Sequence, residues 1–449
     1  MNLRPFGWFD VFRVGLIQAS LGAVVVLTTS TLNRVMVVEL ALPALLPGLL
    51  VALHYAVQVL RPRMGYGSDV GGRRTPWIVG GMAVLALGGV LAALATAAMA
   101  LEPAGGIALA LFAFVLIGLG VSACGTSLLV LLAKRVPDSR RAAAASIVWI
   151  MMIAGFAVTA TVAGGLLDPF SGERLVWVTL AVCAAAFLLT SCSVAGLEGS
   201  RHERAVVSEP VHNQTKFGAA LKEVWAEPLA RRFTIFVFLS MLAYSAQDLI
   251  LEPFAGAVLA YTPGQSTKLS GLQHGGVLVG MIVVALACSG SARRRVGSLR
   301  AWVVGGCLAS ACALLGLVIT GLGGTAALFK PTVFILGVAN GAFSIAAIGS
   351  MMAFAGTGAQ SREGTRMGLW GAAQAIAFAV GGLAGTGAAD VARWLIQTPG
   401  VAYATVFAVE AGVFVVAAVL AARVWAPANA HAISPDQSRM PRVATMEGS

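Results

Sequence analysis

Charge is scarce in this chain. Only 11% of its 449 residues are Asp, Glu, Lys or Arg, whereas 58% are hydrophobic, and the mean hydropathy is +0.87. A soluble domain needs a charged and solvated surface, so this composition excludes a soluble protein with a buried core. The net charge of +11 does not indicate a nucleic-acid partner either, because the basic residues follow a membrane topology rather than one basic face.

Metal, thiol and nucleotide chemistry are also poorly represented. The chain has no Cys-x-x-Cys pair, and its cysteines fall inside apolar runs, where we expect small core residues rather than disulfides or metal ligands. It contains no nucleotide-binding loop, no cluster of metal ligands and no nucleophile triad, so we expect no direct metal site and no enzyme. The cysteines are Cys124, Cys183, Cys192, Cys288, Cys307 and Cys312.

Long apolar runs take the place of these features. Many exceed the roughly 20 residues that cross a bilayer as a helix. They predict an all-α membrane protein with twelve transmembrane helices in two six-helix, pseudo-symmetric bundles. The runs cover about 13–33, 41–61, 76–100, 106–133, 142–167, 174–197, 232–254, 268–292, 300–322, 328–355, 366–389 and 399–423.

The basic residues set the orientation. With the N-terminus inside, 25 of the 30 Lys and Arg residues lie in the segments on the cytoplasmic side. Cytoplasmic segments carry such an excess in membrane proteins, so we expect both termini in the cytoplasm of a bacterium. The exceptions are Arg34, Arg174, Lys268, Lys330 and Arg393.

The longest polar segment divides the chain. We expect an N-terminal bundle over 1–197, a cytoplasmic linker over 198–231, a C-terminal bundle over 232–425 and a disordered cytoplasmic tail over 426–449. Within the linker, apolar residues recur every four positions, which predicts a short amphipathic helix on the membrane surface. They are Phe217, Leu221, Trp225 and Leu229.

The two bundles show a weak internal repeat. At an offset of 220, Pro43 aligns with Pro263 and His54 with His274. At an offset of 222, Ser139-Arg140 aligns with Ser361-Arg362, and Asp168 with Asp390. Two matches at nearly the same offset are what a duplicated six-helix unit would leave.

A glycine-rich basic loop follows the second apolar run. It reads Gly65-x3-Asp69-x2-Gly72-Arg73-Arg74. This pattern resembles the loop between helices two and three of the major facilitator superfamily. The resemblance implies that the glycines allow two helix ends to approach, that the Asp caps a helix and pairs with Arg, and that the basic pair lies on the cytoplasmic face.

Features typical of transporters in that superfamily are missing. Proton-coupled members usually carry an Arg in the fourth helix, whereas the fourth run here has no charge between Gly105 and Leu132. Exporters carry a Gly/Pro motif in the fifth helix. The fifth run has Gly155, Gly164 and Gly165 but no proline before Pro169.

Two histidines lie at membrane depth, His54 and His274. A buried imidazole must hydrogen-bond or act as a ligand to offset its desolvation. One interpretation is a satisfied polar group between helices, and the other is axial ligation of the magnesium of a chlorin. Gln58 lies one helical turn beyond His54 on the same face, whereas Gln273 adjoins His274 and points elsewhere.

Polar residues near the ends of the first and seventh runs form a second group. Carboxylates inside a membrane are costly, so a structural ion pair and a proton or ligand site are both open. Glu410, deep in the twelfth run, is a separate acid without an evident partner. The group consists of Asn33, Arg34 and Glu39, which we expect where the first helix ends, and of Gln247, Asp248 and Glu252.

Five stretches together resemble the PucC/LhaA-type bacteriochlorophyll-delivery family of the major facilitator superfamily. The resemblance implies a factor that binds bacteriochlorophyll and delivers it to light-harvesting antenna polypeptides in a phototroph, beside bacteriochlorophyll synthase in the inner (intracytoplasmic) membrane. The short loop over 65–74 departs from factors for the peripheral antenna and favours a link to pigment synthesis or the core antenna. The stretches are 31–40 (TLNRVMVVEL), 52–55 (ALHY), 247–253 (QDLILEP), 273–276 (QHGG) and 364–370 (GTRMGLW).

Three hypotheses follow. The first is a pigment-binding assembly factor in which His54, Gln58 and His274 hold the pigment. The second is a secondary transporter of a tetrapyrrole or another amphipathic molecule, with a proton site at Asp248, Glu252 or Glu410. The third is a chaperone for antenna helices that binds no pigment. An absorption spectrum of the purified protein separates the first from the others.

Overall fold

The computed structural model describes residues 6–61, 73–198, 222, 225–288, 296–324, 326–355 and 363–424. Within these ranges twelve long helices follow one another, and 11 of them are long and apolar enough to cross a membrane, while Leu45–Leu60 is a shorter apolar helix. They are α1 Trp8–Glu39, α2 Leu45–Leu60, α3 Thr75–Ala98, α4 Pro103–Arg135, α5 Asp138–Leu166, α6 Gly172–Val194, α7 Pro228–Leu259, α8 Pro263–Cys288, α9 Leu299–Gly321, α10 Phe329–Ala355, α11 Glu363–Leu395 and α12 Pro399–Val424.

The helices form two halves, α1–α6 and α7–α12, and each half has its own apolar core. In the first half α1 packs on α5 and α6, and α3 packs on α4 and α6. The second half repeats these pairs, since α7 packs on α11 and α12 and α9 packs on α10 and α12. The same pairing in both halves is consistent with the duplicated unit that the sequence offsets indicate.

Four helix pairs join the halves. They are α2 with α11, α5 with α8, and the second part of α1 with both α7 and α8. We call the face where α1 begins and α12 ends the terminal face, and the other the distal face. Because successive helices run in opposite directions, Glu39, Asp168, Tyr261 and Asp390 all lie toward the distal face.

The first helix is longer than the sequence predicts. We expected it to end near residue 33, but helical turns continue to Glu39, with π-helical turns over Leu27–Thr31 and Val35–Glu39. The polar residues Asn33 and Arg34 therefore lie inside the helix. The expected helix end was wrong because partners in the other half satisfy these side chains, as described below.

Most of the polar linker lies outside the described residues. Of the predicted amphipathic segment, Phe217 and Leu221 lie outside the described residues, whereas Trp225 is exposed and Leu229 belongs to the first turn of α7. The predicted tail at 426–449 also lies outside them. At the linker's end, α7 begins at Pro228, and the preceding Glu227 makes two hydrogen bonds with Arg366 of α11, of 3.0 and 2.7 Å. This pair anchors the start of α7 to the start of α11.

Candidate functional site: the cleft between the halves

His54 lies on α2 with 1% of its surface exposed. Its Nε2 lies 2.9 Å from the amide nitrogen of Gln58, one turn further along the helix, so the expected shared face is confirmed. The Gln58 carbonyl in turn accepts a hydrogen bond from Arg61. Because the amide nitrogen is a donor, Nε2 of His54 is the acceptor, and the buried Nδ1 has no hydrogen-bond partner among the described residues.

His274 lies on α8 in a different arrangement. Its Nδ1 is 2.9 Å from the carbonyl oxygen of Ser270 and 3.4 Å from the Ser270 hydroxyl. Since a carbonyl only accepts, Nδ1 carries the proton and Nε2 holds the lone pair. Within the described part of the chain, no hydrogen bond engages this Nε2. The ring of Phe156 on α5 meets the imidazole edge to face at 5.0 Å.

Aromatic side chains from both halves surround this region. Tyr55 of α2 stacks on Phe378 of α11 at 5.3 Å, and Phe378 contacts Tyr244 of α7 at 6.0 Å. Tyr244 also meets Phe343 of α10 at 6.5 Å. Tyr55, Tyr244 and Phe378 remain partly exposed although they lie between the halves. We call the space beside these rings the cleft.

Asp248 lies in the same region. It interacts electrostatically with Tyr55 of α2, Tyr244 of α7 and His274 of α8, so it faces the cleft rather than one neighbour. Although it lies deep in the protein, its surface remains partly exposed. Asp248 therefore contributes a carboxyl group to the wall of the cleft.

Glu252 occupies a drier position one turn nearer the distal face. It is 2% exposed, and its Oε1 accepts a hydrogen bond from Ser30 of α1. The Ser30 oxygen lies 3.2 Å from the Ser270 hydroxyl of α8, and Thr31 pairs with Thr267 at 3.2 Å. These contacts join α1, α7 and α8 through hydroxyl groups. The other carboxylate oxygen, Oε2, has no hydrogen-bond partner among the described residues.

Arg34 pairs within its own helix rather than with the acids of α7. Its guanidinium lies 2.5 Å from Glu39 and donates a second bond of 2.5 Å to the carbonyl of Tyr261. A buried guanidinium needs such partners. The polar residues that we grouped from the sequence are thus divided between an ion pair at the distal face, a hydroxyl cluster around Glu252 and the cleft wall at Asp248.

Asn33 has a specific structural task. Pro253 lies inside α7, and because proline has no N–H, the carbonyl of Leu249 loses its helical donor. The side-chain amide of Asn33 donates to this carbonyl at 2.6 Å. The neighbouring Gln247 is 1% exposed, and both polar atoms of its amide are without a partner among the described residues.

Two carboxylates close the distal ends of the interfaces between the halves. Asp390 of α11 accepts the backbone N–H groups of Ala44 and Leu45 at 2.9 and 2.7 Å. Asp168, just after α5, accepts the N–H of Gly264 at 3.2 Å and the Thr262 hydroxyl at 3.0 Å. Each acid neutralises the positive N-terminal end of a helix in the other half.

The glycine-rich loop contributes little to the described site. Gly65, Asp69 and Gly72 lie outside the described residues, so their expected roles remain predictions. Arg73 and Arg74 lead into α3, whose first N–H groups are capped by Glu198: the N–H of Arg74 and the N–H and hydroxyl of Thr75 all donate to its carboxylate. The sequence reasoning placed Glu198 in the linker and missed this cap.

Glu410 is buried in α12, away from these contacts. It is 5% exposed, and neither carboxylate oxygen has a hydrogen-bond partner among the described residues. Over the same part of the chain, no group of three or more His, Cys, Asp or Glu residues could hold a metal ion.

Comparison with known proteins adds the family context. A family model described as "PUCC protein" matches residues 31–428. The chain is 54% identical over 426 residues to the "Bacteriochlorophyll synthase 44.5 kDa chain" of Rhodobacter capsulatus, which covers 94% of this chain and 97% of that relative. It is 30% identical over 436 residues to "Protein PucC" of Cereibacter sphaeroides, with coverages of 90% and 89%.

Solved structures show the fold. A D-xylose–proton symporter superposes with a TM-score of 0.70 at 14% identity, covering 92% of this chain and 97% of the symporter. A bacterial homologue of the lysosomal transporter Spinster, inward-facing and occupied, superposes with a TM-score of 0.67 at 15% identity, covering 94% and 97%. The expected major facilitator fold, with two six-helix bundles in a multi-pass membrane protein, is confirmed.

Proposed function

Because the chain belongs to the PUCC protein family, we propose that it binds bacteriochlorophyll between its two halves and delivers the pigment to light-harvesting antenna polypeptides. The observation that carries this proposal is Nε2 of His274, which no described residue engages in a hydrogen bond and which lies beside the aromatic cleft. An imidazole nitrogen is a suitable axial ligand for the magnesium of a chlorin, and it needs a free lone pair for that bond.

The residues around the cleft fit such a ligand in two respects. Nε2 of His274 supplies one donor atom, since Nδ1 is held by Ser270. Tyr55, Tyr244 and Phe378 supply flat apolar surface. His54 is the weaker candidate because Gln58 occupies its Nε2, so we propose that it supports the fold of α2 and its contact with the cleft. The pigment itself brings the magnesium and the light absorption.

The name of one relative points to a partner. The relative from Rhodobacter capsulatus is named as a chain of bacteriochlorophyll synthase. We therefore propose that this protein is not itself a catalyst but receives pigment from bacteriochlorophyll synthase in the inner (intracytoplasmic) membrane of a phototroph. Its termini would be cytoplasmic, which would place the terminal face on the cytoplasmic side.

An absorption spectrum of the protein purified from a phototrophic bacterium tests the pigment proposal. We expect red-shifted chlorin bands that copurify with the wild type and are lost in His274→Leu. A colourless wild-type protein, or a His274→Leu variant that keeps its pigment, contradicts the proposal. Cross-linking in the same membranes tests delivery, because antenna polypeptides and the synthase should be captured only by a pigment-loaded protein.

A second candidate function is transport of an amphipathic tetrapyrrole coupled to protons. The supporting observation is Glu252, a buried carboxylate at the junction of α1, α7 and α8 that links the two halves through Ser30. This hypothesis predicts gradient-driven flux in proteoliposomes that Glu252→Gln abolishes. Absence of flux in the wild type would remove it.

A further inference from the structure

A row of polar side chains connects Glu252 with His274. Glu252 accepts from the Ser30 hydroxyl, the Ser30 oxygen lies 3.2 Å from the Ser270 hydroxyl, and that hydroxyl lies 3.4 Å from Nδ1 of His274. All four side chains are buried. The row crosses from α7 through α1 to α8, so it exists only when the two halves are closed at this level.

The chemistry of the groups sets a direction along the row. An ionised carboxylate only accepts, and each serine hydroxyl has one proton. When Ser30 gives its proton to Glu252, the hydroxyl of Ser270 is left to donate to Ser30. The Nδ1–H of His274 donates to the Ser270 carbonyl at 2.9 Å and also faces the oxygen of the Ser270 hydroxyl at 3.4 Å. Both hydroxyl donors therefore point toward the carboxylate, and the lone pair of His274 stays at Nε2, the atom that faces away from the row.

Other charges near Glu252 are few. Arg34 on α1 and Asp248 on α7 interact with it electrostatically, and Ser266 of α8 lies beside it. Arg34 is already bound to Glu39 and to the Tyr261 carbonyl. From α8, His274 reaches Glu252 only through the two hydroxyls and also interacts with Asp248.

We propose that Glu252 is a positioning residue for the pigment ligand: the Ser270 carbonyl fixes the tautomer of His274, and the carboxylate of Glu252, acting through the Ser30 and Ser270 hydroxyls, strengthens donation from Nδ1–H and so raises the basicity of the Nε2 that would bind magnesium. Uptake of a proton by Glu252 would weaken that bond. This inference rests on the proposed function. Carboxylates that accept from the second nitrogen of a ligating histidine raise its basicity, and their loss usually lowers metal affinity by about 10–100-fold. Protonation of Glu252 would thus favour release of the pigment.

The test measures the affinity of the full-length protein in detergent for purified bacteriochlorophyll. The titration with pigment is repeated at several values between about pH 5 and 8. At the alkaline end we expect Glu252→Gln to bind about 10–100-fold more weakly than the wild type. As the pH falls and Glu252 of the wild type takes up its proton, the two affinities should converge. Ser30→Ala should behave like Glu252→Gln because it breaks the row without removing a charge, and Glu252→Asp should restore part of the affinity.

Two matched variants serve as controls. Glu410→Gln removes another buried acid that lies outside the row. Ser240→Ala removes a buried hydroxyl that bonds only its own helix, at the Val237 carbonyl. Both should bind like the wild type at every pH. Equal loss of affinity in these controls would indicate general destabilisation and would overturn the role of the row.

The outcomes separate the two proposals. If the wild type does not bind pigment, or if His274→Leu binds equally well, the proposed function is wrong. If binding depends on His274 but Glu252→Gln and Ser30→Ala keep the wild-type affinity and pH profile, the positioning role is wrong and the proposed function stands. If Glu252→Gln does not fold, Ser30→Ala alone decides, with its melting temperature as the check of folding.

Discussion

The interface of α2 with α11 and the interface of α5 with α8 are copies of one another, but they have diverged in different parts. Each is closed at the distal face by an aspartate, Asp390 or Asp168, that caps the first turn of a helix in the other half. The two acids align at an offset of 222, as the sequence repeat indicates. The two interfaces therefore share the aspartate that accepts the free N–H groups of a helix start.

Close packing has been kept by different means in the two interfaces. A Cβ atom on Gly48 of α2 would lie 2.0 Å from the Thr386 hydroxyl of α11. In the other copy, a Cβ on Gly164 of α5 would lie 2.7 Å from the backbone nitrogen of Lys268 on α8. Gly48 corresponds to Lys268 at an offset of 220, and Gly164 to Thr386 at 222. The glycine that allows the close contact is therefore on α2 in one interface and on α5, not on the α2-equivalent helix α8, in the other.

The histidines show the largest divergence. His54 and His274 occupy equivalent positions of the repeat, yet one gives its Nε2 to Gln58 and the other gives its Nδ1 to Ser270. The repeat thus preserves the position of the histidine, but not which ring nitrogen is left available for a ligand. Equivalence in sequence is weak support for equal roles in ligand binding.

The largest expected difference between the two interfaces is in pigment binding by their histidines. We expect His274→Leu to abolish copurification of bacteriochlorophyll, because it removes the lone pair at Nε2. His54→Leu should lower the pigment content only about twofold to threefold, because it would destabilise α2 without removing the magnesium ligand. Absorbance of pigment per mole of purified protein measures both.

A further variant sharpens that result. Gln58→Leu frees Nε2 of His54, so a rise in pigment content in this variant would indicate that His54 becomes a second ligand. Equal loss in His54→Leu and His274→Leu would contradict the difference between the two interfaces and would favour two equivalent ligands.

A second effect concerns the first and seventh helices. Asn33 of α1 and Pro253 of α7 are equivalent positions of the repeat at an offset of 220. The proline removes the N–H that would bond the Leu249 carbonyl, and the side-chain amide of Asn33 replaces it as the donor. We expect Asn33→Ala to destabilise the protein by about 1–3 kcal/mol, since it leaves the buried Leu249 carbonyl unpaired. Thermal unfolding in detergent measures the change.

Replacement of the proline supplies the control. Pro253→Ala restores an N–H within α7, so the double variant with Asn33→Ala should regain much of the lost stability. A double variant that is as unstable as the sum of the two single changes would show that Asn33 does not act through this carbonyl.

Much of this fold is predictable because its causes are local. Runs of apolar residues define the spans, and the paired prolines and aspartates define the repeat, so the two-bundle architecture follows from the sequence alone. The end of α1 is not predictable in this way. Asn33 and Arg34 resemble the end of a helix, and only the Leu249 and Tyr261 carbonyls from the other half make a continued helix favourable.

The candidate site is less predictable than the fold. His274, Asp248 and Glu252 attract notice because ionisable residues are rare inside a membrane. Ser30 does not, because serines are common in such helices and its partner, Glu252, lies 222 residues away. The cap that Glu198 forms on α3 was missed for the same reason, since the sequence shows only a polar residue at the start of a linker.

The smallest effect tests whether the two aspartates are equal. Asp390 accepts two backbone N–H groups of α2, whereas Asp168 accepts one backbone N–H and one hydroxyl from the start of α8. An asparagine has one acceptor oxygen and no charge to offset the helix end, so Asp390→Asn should lower the stability by about 1–2 kcal/mol and Asp168→Asn by about half of that.

Melting temperatures of the two variants in detergent give the ranking. Asp10→Asn is the control, because the contacts of Asp10, with the Gly7 N–H and with Arg13, are with the first turns of its own helix. If the carboxylates hold the distal face closed, a cysteine placed at Ser30, with the native cysteines replaced, should react faster with a thiol reagent in Asp390→Asn than in Asp10→Asn. Equal labelling rates, with unequal melting temperatures, would show that Asp390 stabilises α2 without controlling access to the cleft.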